Sequence, residues 1–340
     1  MLSPLADMFS EESIGYSKVH RVIDSRLITF IQQTAMQLSD PSLKRYPSFR
    51  FPGGLPVTVE SRHVKTIRSS NYSFTAKADG FRVLVLFFIY YIEGEWRYMC
   101  TTLQRDGSCH LLSIDIPNEA ASNGGSLFDA ELVDTSSGWS SILLFDCYCY
   151  AGSNLRSLSL QRRFSRCESI ASKIPQKETD SVRVAAKPYY KLIRQNLPDL
   201  QAFLLNKNHV LEYNTDGVII VSQGRCDVVH GKDEGQFKMK AYHTIDLIVI
   251  VDDDDSNIYY MASYDEQDDS YIPKQQILLG ETNTSVNDVI ECSVQKENGI
   301  YIYTPIKVRR DKTNPNSEVV IERTLQTIED NISPDLLVTS

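Results

Sequence analysis

The chain has 340 residues, of which 42% are apolar and 23% charged, values typical of an ordinary globular protein with about two domains. Its formal net charge of −9 argues against a protein that coats nucleic acid non-specifically, so any contact with a polyanion needs a local basic patch. The longest apolar run, residues 83–92, is too short for a membrane helix.

The N-terminal segment and the cysteines bear on the compartment. Met1-Leu2-Ser3-Pro4 begins no basic region followed by an apolar core, so no secretory signal is predicted. Seven cysteines, an odd number without C-x-x-C spacing, indicate reduced thiols inside a cell. We therefore expect an intracellular protein.

The first two thirds of the chain predict a mixture of helices and strands. Apolar positions at helical spacing predict one or two helices within residues 10–39, and the Pro/Gly-rich residues 51–57 predict an extended, turning segment. β-Branched and aromatic residues dominate from residue 72 to 150, which predicts a strand-rich region. The individual segments are strands at 83–91, 98–103, 142–145, 217–221 and 236–240, and helices at 155–175 and 189–208.

The last hundred residues have a different texture, with short strands separated by polar turns. This spacing predicts a small barrel, followed by an amphipathic helix over 318–337. The acidic run 252–255 fits a solvated hairpin turn better than a calcium loop, because the regular ligand spacing and the closing glutamate are missing. The predicted strands are 247–251, 258–261, 289–294 and 300–303.

The most informative stretch is residues 77–82, Lys-Ala-Asp-Gly-Phe-Arg, which reads K-x-D-G-x-R. It stands between two strand-like runs, so we expect Lys77 in a tight turn at the edge of a cleft. A lysine held there can act as a nucleophile when its amine is neutral, and Arg82 offers a planar fork for a phosphate or a carboxylate. The alternative is a surface hairpin with ordinary charges.

Further charged residues interrupt apolar strands, in the order Asp129 and Glu131, Asp146, Asp216, Lys238 and Lys240. Side chains two residues apart in a strand point to the same face, so the first two carboxylates form one pair and the two lysines another. Each could be a solvated strand edge or a structural ion pair. Burying so many charges around one cleft is nevertheless costly unless something is bound there.

This order resembles that of the covalent nucleotidyltransferases, the superfamily of mRNA capping guanylyltransferases and of ATP-dependent DNA and RNA ligases. The resemblance runs from Phe51 to the C-terminus. The segments similar to motifs I, III, IIIa, IV and V are, in that order, Lys77–Arg82, Asp129–Glu131, Phe145–Asp146, Asp216–Gly217 and Lys238–Lys240.

Two segments favour the capping enzymes over the ligases. Residues 51–57, Phe-Pro-Gly-Gly-Leu-Pro-Val, are similar to the family's F-P-G-x-x-P-V segment. Residues 309–316, Arg-Arg-Asp-Lys-Thr-Asn-Pro-Asn, are similar to its R-x-D-K-x-x-P-N motif VI, and the compact length is similar to that of small viral members. One departure is Ala130, where motif III usually has glycine. Alanine would be strained if that position needed a positive φ, but we expect the change to be tolerated.

The resemblance implies an α+β fold in three parts. A nucleotidyltransferase domain with antiparallel sheets, ATP-grasp-like, is expected over residues 1–243. An OB-fold barrel carrying motif VI is expected over 244–317. A C-terminal helix within 318–340 is expected to pack back on the first domain.

The resemblance also implies two-step guanylyl transfer. Lys77 would attack the α-phosphate of GTP, expel pyrophosphate and form lysyl-GMP, and the 5′-diphosphate end of an RNA would then take up the GMP to give a GpppRNA cap. The implied catalytic residues are Lys77, Asp79, Arg82, Lys238 and Lys240. The implied GTP-binding residues are Arg105, Asp129, Glu131, Phe145, Asp146, Lys187, Asp216, Gly217, Arg309, Asp311 and Lys312.

Several implied roles are specific. Glu131 and Arg105 would hold the ribose hydroxyls, and Lys187 would contact the guanine edge. Asp216 and Asp146 would place a divalent metal, Mg²⁺ or Mn²⁺. The motif VI residues would reach the β- and γ-phosphates once the barrel closes.

Two alternatives remain. The nearest is a polynucleotide ligase that uses ATP or NAD, and the other is a catalytically inactive member that serves as an RNA-binding or scaffold subunit. No methyltransferase-like G-x-G segment or triphosphatase glutamate array is apparent, so we expect a separate RNA triphosphatase and cap methyltransferase. Recruitment by the C-terminal domain of RNA polymerase II is possible by resemblance, and no membrane contact is expected. The implied location is the nucleus for a cellular protein, and the host nucleus or cytoplasm for a viral one.

Overall fold

The structure is a computed structural model that describes residues 8–14, 17–42, 48–69, 71–177, 180, 182–206, 211–226, 231–278, 284–310 and 312–339. The chain divides into two compact units. The first comprises residues 1–58, 65–239 and 337–340, and the second comprises residues 59–64 and 240–336. The main division, after Met239, falls near the boundary expected at residue 243.

Strands outnumber helices in the part of the chain that the structure describes. The helices are α1 Ser25–Ser39, α2 Ser61–Ser69, α3 Asn118–Ala121, α4 Leu160–Lys173, α5 Leu197–Leu205 and α6 Glu318–Asp330. The strands of the first unit are β1 Phe9–Ile14, β2 Ser17–Val22, β3 Gly54–Thr58, β4 Tyr72–Ala78, β5 Phe81–Ile92, β6 Glu95–Leu103, β7 Cys109–Leu112, β8 Ser126–Asp134, β9 Ser140–Tyr150, β10 Ser153–Asn154, β11 Arg183–Ala186, β12 Tyr190–Lys191, β13 Thr215–Ser222 and β14 Gly231–Met239. The strands of the second unit are β15 Thr244–Val251, β16 Tyr259–Asp265, β17 Ser270–Ile277, β18 Val289–Glu297 and β19 Ile300–Val308.

The first sheet of the first unit is built around β5. Residues 83–88 of that strand are buried on both faces, as their unbroken apolar sequence predicts. The strand order is β1-β2-β7-β6-β5-β8-β9-β10, with antiparallel neighbours, and β11 runs parallel to β9. Helix α1 packs its buried side chains against Leu84, Leu86 and Phe88, and helix α4 packs on the opposite face.

The prediction of one or two helices within residues 10–39 is confirmed for one helix, α1. Helix α1 begins after Asp24, whose side chain accepts a hydrogen bond of 2.7 Å from the backbone N–H of Leu27 and so caps the helix. The residues before it form the β1–β2 hairpin instead. β2 pairs with β7, so tertiary pairing overrides the local pattern there.

The second sheet of the first unit carries the strand that holds Lys77. Its order is β12-β4-β13-β14-β3, and α5 packs on β13 and β4. The helix predicted over 189–208 is shorter than expected, because β12 and a 3₁₀ turn at 194–196 precede α5. Pro198 fits the first turn of α5, where a missing N–H costs nothing.

Strands β4 and β5 do not form a hairpin with each other, although only two residues separate them. β4 belongs to the second sheet and β5 to the first. The Asp79–Gly80 turn therefore carries the chain from one sheet to the other. This placement argues against the surface-hairpin alternative for the Lys77 segment.

The second unit contains one antiparallel sheet of order β17-β16-β15-β18-β19. Five strands match the number in an OB-fold barrel, but among the described residues no backbone pairing closes β17 onto β19. A side chain bridges the two edges: the Gln275 amide donates to the Tyr303 carbonyl at 3.0 Å and accepts from the Tyr303 N–H at 2.9 Å. β17 was not predicted, and its polar residues alternate too weakly to indicate a strand.

The C-terminal helix α6 contributes to the core of the second unit. Ile321 of α6 is buried, and Leu325 and Ile328 join it in the core of the second unit's own sheet. These three apolar side chains therefore pack within the second unit. Only residues 337–340 return to the first unit, where the Thr339 carbonyl accepts from the Arg194 N–H at 2.8 Å.

Two further properties concern the described residues as a whole. No helix among them is long and apolar enough to cross a membrane. All seven cysteines are free thiols, and six of them are buried.

Candidate active site

Lys77 lies near the end of β4 and pairs with Asp216 at the start of β13. The Lys77 Nζ atom is 2.5 Å from Asp216 Oδ1, and the two side chains are 26% and 32% exposed. The β4–β13 register shifts between Thr215 and Val218, and Gly217 in that bulge has a φ of +142°, which favours glycine. The bulge places Asp216 beside Lys77 and accounts for the Asp-Gly pair of motif IV.

Lys238 shares a sheet face with Lys77. Lys238 pairs with Ile219, and Ile219 pairs with Thr75, two residues before Lys77 on its strand. Residues paired across strands or two apart along one strand share a face, so the two ammonium groups lie on the same side of the sheet. β14 ends at Met239, so Lys240 lies beyond the strand and belongs to the second unit.

Arg82 is held by a carboxylate and a backbone carbonyl. Its Nε donates to Asp129 Oδ1 at 2.9 Å, its Nη2 to Asp129 Oδ2 at 2.5 Å, and its Nη1 to the Gly54 carbonyl at 2.7 Å. The Tyr148 hydroxyl also donates to Asp129, which is only 1% exposed. This network makes Arg82 and Asp129 a buried structural pair that fixes the Phe51–Val57 segment to the first sheet, rather than a free phosphate fork.

Gly53 is required by that network. A Cβ atom there would stand 2.3 Å from Arg82 Nη2 and 2.9 Å from Asp129 Oδ2. Burial and the adjacent Asp129 carboxylate raise the pKa of Tyr148, so its hydroxyl remains the donor. The glycine of the F-P-G segment therefore follows from the close approach of the ion pair.

Two aromatic rings lie against the cations of the site. The Arg82 guanidinium carbon is 5.4 Å from the centre of the Phe51 ring and 5.6 Å from that of Phe145. The Phe51 ring also contacts the exposed Arg105 at 5.8 Å, and Lys187 Nζ lies 5.4 Å from the Phe145 ring. Rings within about 6 Å of cations attract them through the ring quadrupole.

Glu131 and Lys187 perturb each other's charge. Burial raises the pKa of Glu131, while the positive charges of Lys187, Lys77 and Arg82 oppose that rise. Burial also lowers the pKa of Lys187, which is 3% exposed, to about 8, although Glu131 opposes the shift. Glu131, Lys187 and Lys77 are therefore close enough to form one electrostatic cluster.

Asp146, expected to help place a metal, is held in an ion pair with Arg163. Arg163 of α4 donates from Nε to Asp146 Oδ1 at 2.7 Å and from Nη2 to Oδ2 at 3.0 Å. The Arg163 side chain is 0% exposed, and the Cys147 N–H also donates to Asp146 Oδ1. Both carboxylate oxygens are thus engaged in a buried ion pair.

A preformed metal cage is absent from the described residues, which contain no group of three or more His, Cys, Asp or Glu side chains placed to hold a metal. Mg²⁺ commonly binds through one or two carboxylates together with substrate phosphates and water. One half-exposed carboxylate, Asp216, beside the lysine fits that pattern, provided that the nucleotide supplies the remaining ligands.

Two smaller expectations concern the turn and motif III. Asp79 is solvent-exposed, and its backbone N–H donates to the Asn214 carbonyl at 2.9 Å. Ala130 is buried in β8 and is not among the described residues with a positive φ. Alanine is therefore unstrained in place of the usual glycine.

In the second unit, the motif VI cations gather around Asp246. Lys312 Nζ pairs directly with Asp246 Oδ2, and Arg309 Nη1 lies 3.3 Å and 3.5 Å from the two Asp246 oxygens. Arg309 Nη1 is also 3.7 Å from Glu291 Oε2. Asp311, expected in the same set, lies outside the described residues.

Three residues that the sequence did not single out for a role complete these arrangements: Tyr148, Arg163 and Asp246. The local sequence does not distinguish Tyr148 or Arg163 from their neighbours. Tyr148 lies within the apolar strand β9, and Arg163 is one of several arginines of α4. Asp246 interrupts the apolar start of β15, and such an interruption is the kind of signal that drew attention to Asp129 and Asp216.

Known capping enzymes are similar to the chain over most of its length. A family model described as "mRNA capping enzyme, catalytic domain" matches residues 18–242, and one described as "mRNA capping enzyme, C-terminal domain" matches residues 221–338. An mRNA-capping enzyme subunit alpha from Candida glabrata is 23% identical over 381 aligned positions, which cover 86% of this chain and 81% of the relative.

Solved structures of DNA ligases are more distant. A mycobacterial DNA ligase D complexed with ATP and MES is 14% identical, with a TM-score of 0.46, over 78% of this chain and 98% of the ligase. The ligase domain of LigD from M. tuberculosis is 13% identical, with a TM-score of 0.38, over 77% and 96%. At such TM-scores the likeness carries no conclusion.

The two family models together span most of the chain and agree with the motif order, the F-P-G segment and motif VI. They favour capping over the ligase alternative. The chain therefore belongs to the mRNA capping enzyme family and is an mRNA guanylyltransferase with a nucleotidyltransferase catalytic domain and a C-terminal capping-enzyme domain.

Proposed function

We propose that Lys77 is the nucleophile and that Asp216 is the carboxylate that works beside it. In the first step the Lys77 amine loses a proton and forms a P–N bond to the α-phosphorus of GTP, while the α–β P–O bond breaks and pyrophosphate leaves. In the second step a β-phosphate oxygen of a 5′-diphosphate RNA forms a P–O bond to the same phosphorus, the P–N bond breaks, and the departing Lys77 amine takes up a proton. The observation that carries this proposal is the half-exposed Lys77–Asp216 contact at 2.5 Å.

The surrounding charges support a bound nucleotide. Lys238 shares the sheet face of Lys77, where it would neutralise α-phosphate oxygens, and Lys240 follows it in the chain. Glu131 and Arg105 would hold the ribose hydroxyls. Lys187, buried against Phe145, would contact the guanine edge, and the Phe145 ring would stack on the base.

A divalent ion, Mg²⁺ or Mn²⁺, would be held by Asp216 together with nucleotide phosphate oxygens and water. Bound there, the ion would supply positive charge to the transferring phosphoryl group. We do not assign Asp146 to this ion, because Arg163 occupies both of its oxygens. Asp216 has the water access that a metal ligand needs, since its side chain is 32% exposed.

The second unit would act on the β- and γ-phosphates through motif VI. Arg309 would take this role through its guanidinium, because its side chain is 22% exposed. Closure of this unit over GTP would orient the pyrophosphate for in-line departure. Asp311 would belong to the same phosphate-binding set.

Partners follow from the reaction. The RNA 5′-diphosphate must be produced by an RNA triphosphatase, and the cap must be methylated afterwards, so we propose that separate proteins or subunits perform these steps. The Candida glabrata relative is named as a subunit, which supports such an assembly. Recruitment by the RNA polymerase II C-terminal domain, and a nuclear location for a cellular enzyme, are part of this proposal.

The test is covalent labelling. Purified protein is incubated with α-labelled GTP or ATP and Mg²⁺ or Mn²⁺, then separated under denaturing conditions. We expect label from GTP only, and no label in Lys77→Ala. The matched control is Lys191→Ala, an exposed lysine on β12, the strand next to β4, and it should be labelled like the wild type. Label from ATP instead would indicate a ligase, and no label from either would indicate an inactive subunit.

A further inference from the structure

Phe145 is the extra residue of a β-bulge. The β8–β9 register pairs Leu144 and Asp146 with adjacent residues of β8 and gives Phe145, between them, no partner there. On the other side of β9, the pairing with β11 reaches only Leu144, whose carbonyl also accepts from the Lys187 N–H at 2.8 Å. The register therefore leaves Phe145 without a partner residue on either neighbouring strand.

Tyr189 contacts this bulge through its side chain. Its hydroxyl donates to the Phe145 carbonyl at 3.1 Å, and its ring packs edge-on against Phe164 of α4, with the ring centres 4.8 Å apart. Pro188, before it, has no N–H to continue the pairing of β11, so the chain turns there and leads into β12 of the second sheet. Tyr189 is thus held by α4 and in turn holds the bulge.

The bulge lies against Lys187. Lys187 Nζ is 5.4 Å from the centre of the half-buried Phe145 ring, within the reach of a cation–π contact. The Lys187 N–H and the Tyr189 hydroxyl bind consecutive carbonyls of β9. Residues 187–189 therefore keep the Phe145 ring and the Lys187 ammonium at one spacing.

We propose that Tyr189 is a positioning residue for base recognition: by holding the Phe145 carbonyl, it fixes the ring that would stack on the base at a set distance from the ammonium of Lys187. The inference rests on the proposed function, because it takes Phe145 and Lys187 as the base contacts. An ammonium only donates, so at a guanine edge it bonds to an acceptor such as O6, which 2-aminopurine lacks. Loss of the Tyr189 hydroxyl would weaken this edge contact and leave stacking on Phe145 possible.

The first measurement is the kinetics of lysyl-GMP formation by Tyr189→Phe. This change keeps the ring against Phe164 and removes only the hydroxyl. We expect the KM for GTP to rise by about three- to tenfold, the order of one hydrogen bond, with kcat within about twofold of the wild type, because the Lys77–Asp216 pair stays in place. A lower kcat at an unchanged KM would indicate a merely structural role and would overturn the inference.

The matched control is Tyr190→Phe, one residue further along the chain. The Tyr190 ring packs against Phe74 and Phe203, but its hydroxyl makes no hydrogen bond to any residue that the structure describes. Its KM for GTP should stay within about twofold of the wild type. An equal rise in both variants would mean that loosening the segment, and not loss of the Phe145 contact, weakens binding, and the inference would be wrong.

The second measurement is equilibrium binding, which needs no transfer. GDP and the 5′-diphosphate of 2-aminopurine riboside are each titrated into the wild type and Tyr189→Phe. We expect Tyr189→Phe to weaken GDP binding by about three- to tenfold and binding of the 2-aminopurine nucleotide by less than about twofold, because only GDP offers O6 to Lys187. Equal losses for the two nucleotides would contradict the positioning role.

The two measurements separate the inference from the proposed function. Wild-type protein that binds GDP but takes no label from GTP contradicts the proposed function, and the binding comparison then decides the inference alone. Wild-type protein that neither takes label nor binds GDP overturns both. Labelling of the wild type together with an unchanged KM in Tyr189→Phe overturns the inference only.

Discussion

Replacing Asp146 by asparagine separates a structural ion pair from a metal ligand. Arg163 makes two hydrogen bonds to Asp146 and has no solvent exposure, so Asp146→Asn leaves a buried guanidinium without its charge partner. Removing one member of a buried pair costs about 3–5 kcal/mol. Arg163 Nη1 keeps its bonds to the Leu158 and Arg225 carbonyls, so we expect the lower end, about 3 kcal/mol of unfolding free energy.

The matched comparison is Asp216→Asn. Its partner Lys77 is 26% exposed and Asp216 itself 32%, and pairs with that much water access contribute about 0–1 kcal/mol. We therefore expect Asp216→Asn to unfold near the wild-type urea midpoint but to lose lysyl-GMP formation. Urea unfolding of both variants, together with GTP labelling over a Mg²⁺ titration, measures the two effects separately.

The opposite pattern would refute the reasoning. If Asp146→Asn unfolds like the wild type but needs far more Mg²⁺ for labelling, Asp146 is a metal ligand and the Arg163 pair is incidental. A third variant sharpens the result: Asp146→Leu combined with Arg163→Met removes both charges, and it should recover much of the lost stability because no unpaired charge remains buried.

Three further predictions concern packing, titration and sheet closure. Gly53→Ala should lose about 1–3 kcal/mol in urea unfolding, because its Cβ would meet the pinned guanidinium of Arg82; wild-type stability would show that Arg82 can move. Burial lowers the pKa of Lys187 to about 8 in the folded protein, so between about pH 8 and 10 the unfolded chain binds more protons than the folded one. The unfolding free energy should therefore rise with pH in this range, by up to about 3 kcal/mol relative to Lys187→Met. Parallel pH profiles of the two proteins would contradict this. Gln275→Leu removes both hydrogen bonds to Tyr303 and should cost about 2 kcal/mol in the unfolding of the second unit, whereas an unchanged midpoint would show that the bridge does not hold the sheet edges together.

The sequence predicted strands best where burial is two-sided. The unbroken apolar run of β5 predicts a central strand buried on both faces, and the apolar runs of β9 and β13 predict strands in the same way. The sequence did not predict the β1–β2 hairpin, because β2 pairs with β7, which lies far away in the chain. The sequence did not predict β17 either, because a half-exposed strand of a small sheet needs little apolar patterning.

The candidate site shows the same division. Lys77 and Asp216 were identifiable because charges interrupt apolar runs, and the structure brings them into contact across 139 positions of the chain. The partners of Asp129 and Asp146 were not identifiable. The β8–β9 register shifts between Asp129 and Ala130, and this sets the two carboxylates opposite each other, so that each needs its own arginine. A register shift of this kind leaves no local pattern in the sequence.

Water access separates the charged pairs of the first unit into two kinds. Arg82–Asp129 and Arg163–Asp146 are buried, so separating either pair would leave an uncompensated charge at a cost of several kcal/mol. Lys77–Asp216 is half-exposed, so water or a ligand can replace either partner at little cost. A nucleophilic lysine must exchange its carboxylate for a phosphorus atom and later return to it. Under the proposal that Lys77 is the nucleophile, the half-exposed pair can separate and re-form within a catalytic cycle, whereas the buried pairs hold the surrounding strands and the Phe51–Val57 segment in place.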